Sequence, residues 1–569
     1  MALRILFLCT AHNGLSQRAW AELGDRGHAV CVAVVADAAA MRAAVQRERP
    51  DLVIAPMLRT AIPEDIWSRH VCLIVHPGVV GDRGPSSLDW AILGREREWG
   101  VTLLQAAAEM DAGDIWASAA FETRTITKSG LYRHEVTDAA VRALLQAVER
   151  FEAGGFRPQP LDEVPQVRGR LRPAMPAAER RVDWEMDTEA ILRRVQSGDS
   201  FPGAGGELLG LPCRLFGAHP EARLRGRPGE ALAQRDGAVC IATGDAALWL
   251  SHLRVRGGIK LPAAWVLGEA RLRDVPDWPL PCEMPDDGST WREIRYREVG
   301  PVGWLHFDFY NGAMSTGQCE RLRAALIHAK RQATRVVVLA GGADLWSNGI
   351  HLNTIEAAAD PALESWRNIL AMNALVREIV STDSHLVVAA LHGNAGAGGA
   401  ILALAADQVW ARQGVVLNPH YKGMGGLYGS EYWTYLLPRR VGDALAEDLT
   451  ESLRPLTAAG AERLGLIDAA FGDGVAAFRD EATQRAQRLA APADLRKALT
   501  AKRRRRDADE RRKPLESYAA EELAHMHRNF FGPDDAYHEA RRRFVYKATL
   551  PPPVRACTLG RRDEEAAAA

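Results

Sequence analysis

Residues 389–432, AALHGNAGAGGAILALAADQVWARQGVVLNPHYKGMGGLYGSEY, constrain this 569-residue chain more than any other stretch. The apolar run 386–391 reads as a buried strand. Gly393, Gly396, Gly398 and Gly399 break it, and a small-residue helix follows over 400–406. A second glycine-rich loop spans 419–429, with Tyr421 near its start and Glu431 just past its end. Glycines between strand and helix let the backbone approach a ligand closely and aim N–H groups at it. The two loops are therefore expected to hold a ligand that the rest of the chain delivers.

At roughly 150 residues per domain the length predicts three or four domains. Proline clusters at 158–176 and 276–285 divide the chain into 1–160, 175–275, 290–475 and 476–569. Hydrophobic content of 47% and charged content of 25% fit a soluble globular enzyme. A net charge of −1 gives no field that selects nucleic acid or membrane. No apolar run approaches a membrane span, and the N-terminal apolar run reads as a first strand rather than a signal peptide. The eight cysteines are scattered without a CxxC, which argues against a metal site or a disulfide framework and fits a reducing cytoplasm.

In segment 1–160, apolar runs at 3–9, 29–35, 52–55 and 71–75 alternate with helical stretches. This predicts an open parallel sheet that binds ligand at the carboxyl ends of its strands. His76-Pro-Gly-Val-Val-Gly-Asp-Arg-Gly leaves the fourth run, and Glu109-Met-Asp-Ala-Gly lies downstream. A strand-end His with a loop Asp suits proton transfer; a structural His beside a turn Asp fits the spacing equally well. These motifs, with Trp90-Ala91 and Gly100-Val-Thr, resemble the formyltetrahydrofolate-dependent transferases. The resemblance implies that His76 and Asp111 are catalytic. It also exposes a departure: the family's oxyanion-binding Asn falls on Ile74, and losing one such donor typically costs about 10²–10³ in rate. Either His76 and backbone groups suffice, or the acceptor is unusual, and a thiol acceptor would suit the altered site.

Segment 175–275 has short strands between Gly, Asp and Pro turns, as in a small β-barrel. Its Asp-Trp and Ala242-Thr-Gly-Asp resemble the C-terminal domain of methionyl-tRNA formyltransferase. No basic, aromatic-interleaved patch accompanies them, so a scaffolding role is favoured over nucleic-acid binding.

Segment 290–475 resembles the crotonase (enoyl-CoA hydratase/isomerase) family, through Asn311-Gly-Ala-Met, Asn348-Gly-Ile-His and His392-Gly-Asn-Ala-Gly-Ala-Gly-Gly. The resemblance implies an oxyanion hole for a thioester carbonyl at the N–H groups of Ile350 and Gly398. The hydratase's two catalytic Glu positions fall on Ile401 and His420, which argues against hydration. His420, Tyr421 and Glu431 remain as polar candidates, although each singly also reads as a turn, packing or helix-start residue. Basic runs at 501–506 and 511–513 read as a solvated helix. The crotonase resemblance also implies that Arg541-Arg-Arg-Phe-Val-Tyr-Lys meets CoA phosphates, and residues 564–569 are expected to lack order.

The whole chain resembles hydrogenase maturation proteins of the HypX/HoxX type. The implied fold is multidomain α/β: a formyltransferase-type parallel sheet, a small OB-like β-barrel, a crotonase-type ββα spiral and a helical C-terminal tail. The implied substrates are 10-formyltetrahydrofolate and coenzyme A, with carbon monoxide for [NiFe]-hydrogenase as product. His76, Asp111, Tyr421 and Glu431 are the expected catalytic residues. Arg83, Arg133, Ser200, Asn311 and Arg542 are the expected cofactor-binding residues. No metal, nucleic acid or membrane is expected, and a hydrogenase subunit or maturation protein is the expected protein partner. Formate release by hydrolysis, or a non-catalytic scaffold binding folate and CoA, are the alternative readings.

Overall fold

A computed structural model describes residues 2–342, 344–547 and 556–557. The expectation for 564–569 lies outside them. The chain divides into two compact units, one built mainly from Met1–Gly206 and the other mainly from His219–Thr549.

In the first unit, β1 (Arg4–Cys9), β2 (Ala29–Val34), β3 (Leu52–Met57), β4 (Cys72–His76), β5 (Glu98–Gln105) and β6 (Ile115–Glu122) run in sheet order β2-β1-β3-β4-β5-β6. β1 to β4 are parallel, as their unbroken apolar runs predict. β5 and β6 run antiparallel to their neighbours. The short turn at 106–114 allows no parallel crossover between them. His76 is the last residue of β4, at the carboxyl end of the parallel strands. Cys31 is disulfide-bonded, a departure from fully reduced thiols.

In the second unit, Ala231–Arg235, Ala238–Ala242, Ala247–Arg254 and Leu261–Pro262 pair antiparallel in sequence order. Among the described residues this run does not close into a ring, because its two-residue last strand leads straight into the helix Ala263–Leu272. A second sheet orders Ile294–Val299, Val302–Phe307, Val336–Ala340, Leu386–Leu391, Gln408–Arg412 and Ala469–Phe471. A third orders Leu345–Ser347, Asn394–Gly396, Val416–Asn418 and Leu456–Thr457. The chain alternates between these two sheets, so Leu386–Leu391 is followed by Asn394–Gly396 and then by the helix Gly398–Leu404. This is the expected ββα spiral. Glycine makes the crossings possible: a Cβ at Gly393 would lie 2.7 Å from the Asp344 carbonyl.

Among the described residues the tail is four helices, Val475–Leu489, Pro492–Arg512, Leu515–Phe531 and Ala536–Tyr546. The basic runs fall mostly on solvated faces, as expected. Lys502 is the exception: it is buried, with Nζ 2.6 Å from Asp407. Leu515, Ala519, Met526, Phe530 and Tyr537 join the main apolar core of the unit, so the last two helices are structural parts of it.

Arg541 is buried and its Nε donates to Glu356 at 2.7 Å. Removing one member of a buried pair strands the other charge, at about 3–5 kcal/mol. Arg541→Ala should therefore lower the thermal midpoint of this unit markedly, as measured by calorimetry, whereas the exposed Arg542→Ala should leave it nearly unchanged.

Candidate active sites

In the first unit the imidazole of His76 sits between two carboxylates. Nε2 lies 2.9 Å from Asp82 Oδ2, and Nδ1 lies 3.5 Å from Asp111 Oδ1. Burial alone would drive the ring neutral, but the two acids overcome it and raise its pKa to about 9. His76 is thus an imidazolium at neutral pH. Asp111 has a left-handed backbone and accepts the Gly84 N–H at 3.3 Å. Burial opposes its ionisation, yet the bond to His76 leaves its pKa below the ordinary carboxylate value.

The loop after His76 is held by the proline-rich segment behind it. Gly169 N–H donates to Val80 O, and Arg172 N–H donates to Arg83 O. A Cβ at Gly169 would lie 1.8 Å from Asp82 N, so the strap lies flat against the turn that presents Asp82. Gly78 sits over the His76–Asp82 bond, where a Cβ would come within 2.5 Å of both side chains. Ile74 shares the strand face of His76, two residues earlier, and has no hydrogen-bond donor to offer.

In the second unit the carboxylate of Glu431 is buried. Tyr421 OH donates to its Oε2 at 2.5 Å and Ser430 Oγ to its Oε1 at 2.9 Å. Burial raises its pKa, opposed by the bonds from Tyr421 and Ser430. Burial, with the Glu431 charge beside it, holds the Tyr421 phenol well above its ordinary value, so it stays protonated. The carboxylate lies against Gly398, where a Cβ would be 3.0 Å from it. Gly398 opens its helix, so its N–H has no intrahelical acceptor. On the other side, a Cβ at Gly349 would lie 3.1 Å from Gly398 N. The turn carrying Ile350 is thereby brought against the same atom.

The aim of Glu431 depends on strained backbone. Glu431 and Tyr432 have φ of 66° and 61°, conformations that cost about 1–3 kcal/mol each for residues other than glycine. Asn373 Oδ1 accepts the Glu431 N–H at 2.7 Å, and Glu522 accepts the N–H groups of Tyr432 and Thr434 at 2.8 and 2.9 Å.

The structure thus gathers His76 with Asp111, and gathers Ile350, Gly398, Tyr421 and Glu431. His420 is half-buried, and burial lowers its pKa to about 4, leaving it neutral. Asn311 packs on the turn that carries Ile350, its carbonyl accepting Asn348 Nδ2 at 2.9 Å. Arg83 pairs with Glu109 at 2.6 Å. Near Arg133 and Ser200 in sequence, the Ser129 N–H donates to the Asp199 carbonyl at 3.1 Å. Arg542 is exposed, with Nε 4.0 Å from Glu356. Sequence reasoning missed Asp82, Ser430, Asn373 and Glu522. Of these, Asp82 and Ser430 adjoin motif residues and were open to detection; Asn373 and Glu522 come from distant helices.

A model of the formyl transferase C-terminal domain matches residues 174–269, and one of enoyl-CoA hydratase/isomerase matches residues 310–549. The hydrogenase maturation factor HoxX of Bradyrhizobium diazoefficiens is 48% identical over 96% of this chain and 95% of its own. The crystal structure of HypX from Aquifex aeolicus in complex with tetrahydrofolic acid has a TM-score of 0.94 at 45% identity, covering 97% of this chain and 98% of that one. A methionyl-tRNA formyltransferase of Variovorax paradoxus is 28% identical over 40% of this chain and 71% of its own length.

The raised pKa of His76 makes stability depend on pH. Its contribution is full below the ordinary value of 6.5 and is lost as pH rises through about 9. In urea titrations the stability gap between wild type and His76→Asn should narrow between those two pH values; a constant gap would contradict the two-carboxylate assignment.

Proposed function

This chain belongs to the HoxX/HypX family of hydrogenase maturation factors, and from that premise we propose that it moves the formyl group of 10-formyltetrahydrofolate to coenzyme A and releases it as carbon monoxide. Formyltransferase and crotonase-family domains make it an enzyme, and among the described residues no helix is long and apolar enough to cross a membrane.

The first step belongs to the His76 site. A formyl C–N bond breaks and a C–S bond forms, with a proton passing overall from thiol to folate nitrogen. A cationic His76 favours thiolate over thiol nearby, stabilises charge on the formyl oxygen, and can give its proton to the departing nitrogen. Asp111 orients the ring. The absence of an amide at Ile74 fits a thiol acceptor, which attacks more readily than an amine of equal basicity.

The second step belongs to the Glu431 site, and one observation carries it: a buried carboxylate rests against the residue whose N–H would bind a thioester carbonyl. Conversion of formyl-CoA to CO and CoA breaks the C–H and C–S bonds and makes S–H. Glu431, its basicity raised by burial, takes the formyl proton. Tyr421 and Ser430 keep the carboxylate in place, and Tyr421 is the neighbouring O–H that can protonate the sulfur. Ile350 and Gly398 donate to the carbonyl. Hydration is disfavoured because Ile401 lies in the apolar core and His420 supplies no carboxylate. Arg83, Arg133, Ser200, Asn311 and Arg542 are retained as candidate contacts for folate and CoA. A hydrogenase large subunit or a companion maturation protein is the proposed recipient of the CO.

With 10-formyltetrahydrofolate and CoA, wild type should release CO into the headspace. Glu431→Gln should lower CO release by at least about 10², on the scale of losing a proton-transfer group, while formyl-CoA accumulates. Undiminished CO from that variant would remove Glu431 from the mechanism, and formate in place of CO would favour hydrolysis.

A further inference from the structure

Asp82 is a polar partner of His76, 2.9 Å from Nε2, that the family pattern does not account for. It is buried, and it comes from the His76 loop itself. The turn that presents it closes with Asp82 N–H donating to Val79 O at 2.8 Å, and the 167–172 strap packs on its outer face. Only glycine at position 78 leaves room for its carboxylate to reach Nε2.

The contact changes what the ring can be. With an acceptor at each nitrogen, either neutral tautomer would set an imidazole lone pair against a carboxylate oxygen. With both carboxylates ionised, only the doubly protonated ring satisfies both partners. The charged groups around it are Asp82 from its own loop, Asp111 from the turn between β5 and β6, and Arg83, whose charge acts on Asp111. Thr102, opposite His76 on β5, donates its hydroxyl to Gly78 O and adds no charge. The chain lacks an amide at Ile74 to receive the developing oxyanion, and holds a cation two residues further along the same strand face.

We propose that Asp82 is a positioning residue that locks His76 as a two-handed hydrogen-bond donor, a fixed cation that takes over the electrostatic work of the amide missing at position 74. The inference rests on the formyl-transfer reading for its role, though not for the state of the ring. In the resting site His76 is then an acid and charge stabiliser rather than a base. The thiol is drawn to its thiolate by the cation, its proton going to solvent. The ring proton goes to the folate nitrogen as the C–N bond breaks, and solvent restores it.

The test uses the full-length protein with ¹³C-labelled histidine, His76 being assigned by loss of its signal in His76→Asn. In wild type the ring should remain protonated until the pH approaches 9. Asp82→Asn, which keeps size and hydrogen-bonding capacity, should lower that titration by about 1–3 pH units, the usual effect of one adjacent opposite charge. The alkaline limb of the formyl-transfer rate should move with it, kcat falling while KM for 10-formyltetrahydrofolate holds. A ring titration unmoved in Asp82→Asn overturns the proposal, as does a shifted titration that leaves the rate profile in place. If wild type transfers no formyl group to CoA, the transferase reading fails, while the ring titration still decides whether Asp82 locks the cation.

Discussion

A carboxylate removed from water is costly unless hydrogen bonds replace its hydration, and both candidate sites are organised around meeting that requirement. Glu431 accepts from Tyr421 and Ser430. Its main chain is held by Asn373, and the residues that follow it are held by Glu522. Each of these bonds also serves geometry, because the left-handed turn at Glu431 and Tyr432 persists only if its surroundings fix it. Glu522 itself is buried and its pKa is raised to about 8 by burial, so the helix Leu515–Phe531 carries a polar liability that makes sense only as a support for the turn.

The other unit meets the same requirement by charge pairing. Asp82 and Asp111 share one imidazolium, and the backbone N–H of Gly84 gives Asp111 a further donor. The proline-rich strap, which composition marks as a linker, has a second role here: it presses on the turn that presents Asp82. The two solutions suit different tasks. A carboxylate supported by neutral donors keeps its basicity, whereas one paired to a cation gives it up and leaves the cation as the chemically useful group.

Much of this was legible in the residues. The strand-end His76, the Asp111 turn, the glycine crossings and the Tyr421–Glu431 loop were all visible, because local rules of strand, turn and glycine geometry act over a few positions. Ile401 and His420, standing where the hydratase pattern has its two catalytic carboxylates, were equally visible as an argument against hydration. Asp82 stood in plain view six residues from His76, yet its role was hidden, since a loop acid beside an arginine ordinarily reads as a solvated turn. The antiparallel turn of β5 and β6 was hidden for a similar reason, since apolar runs do not carry strand direction.

The sequence by itself determined where backbone donors could lie, which proton-carrying side chains were available and which catalytic carboxylates were missing, because glycine, proline and ionisable residues act through their own covalent chemistry. Only the tertiary structure decided protonation and aim. Whether His76 is a base or a cation depends on an acid folded over its Nε2, and whether Glu431 faces Gly398 or solvent depends on Asn373 and Glu522, 58 and 91 residues away. Burial and charge pairing are properties of atoms brought within a few ångströms, and that proximity exists only once the chain has folded.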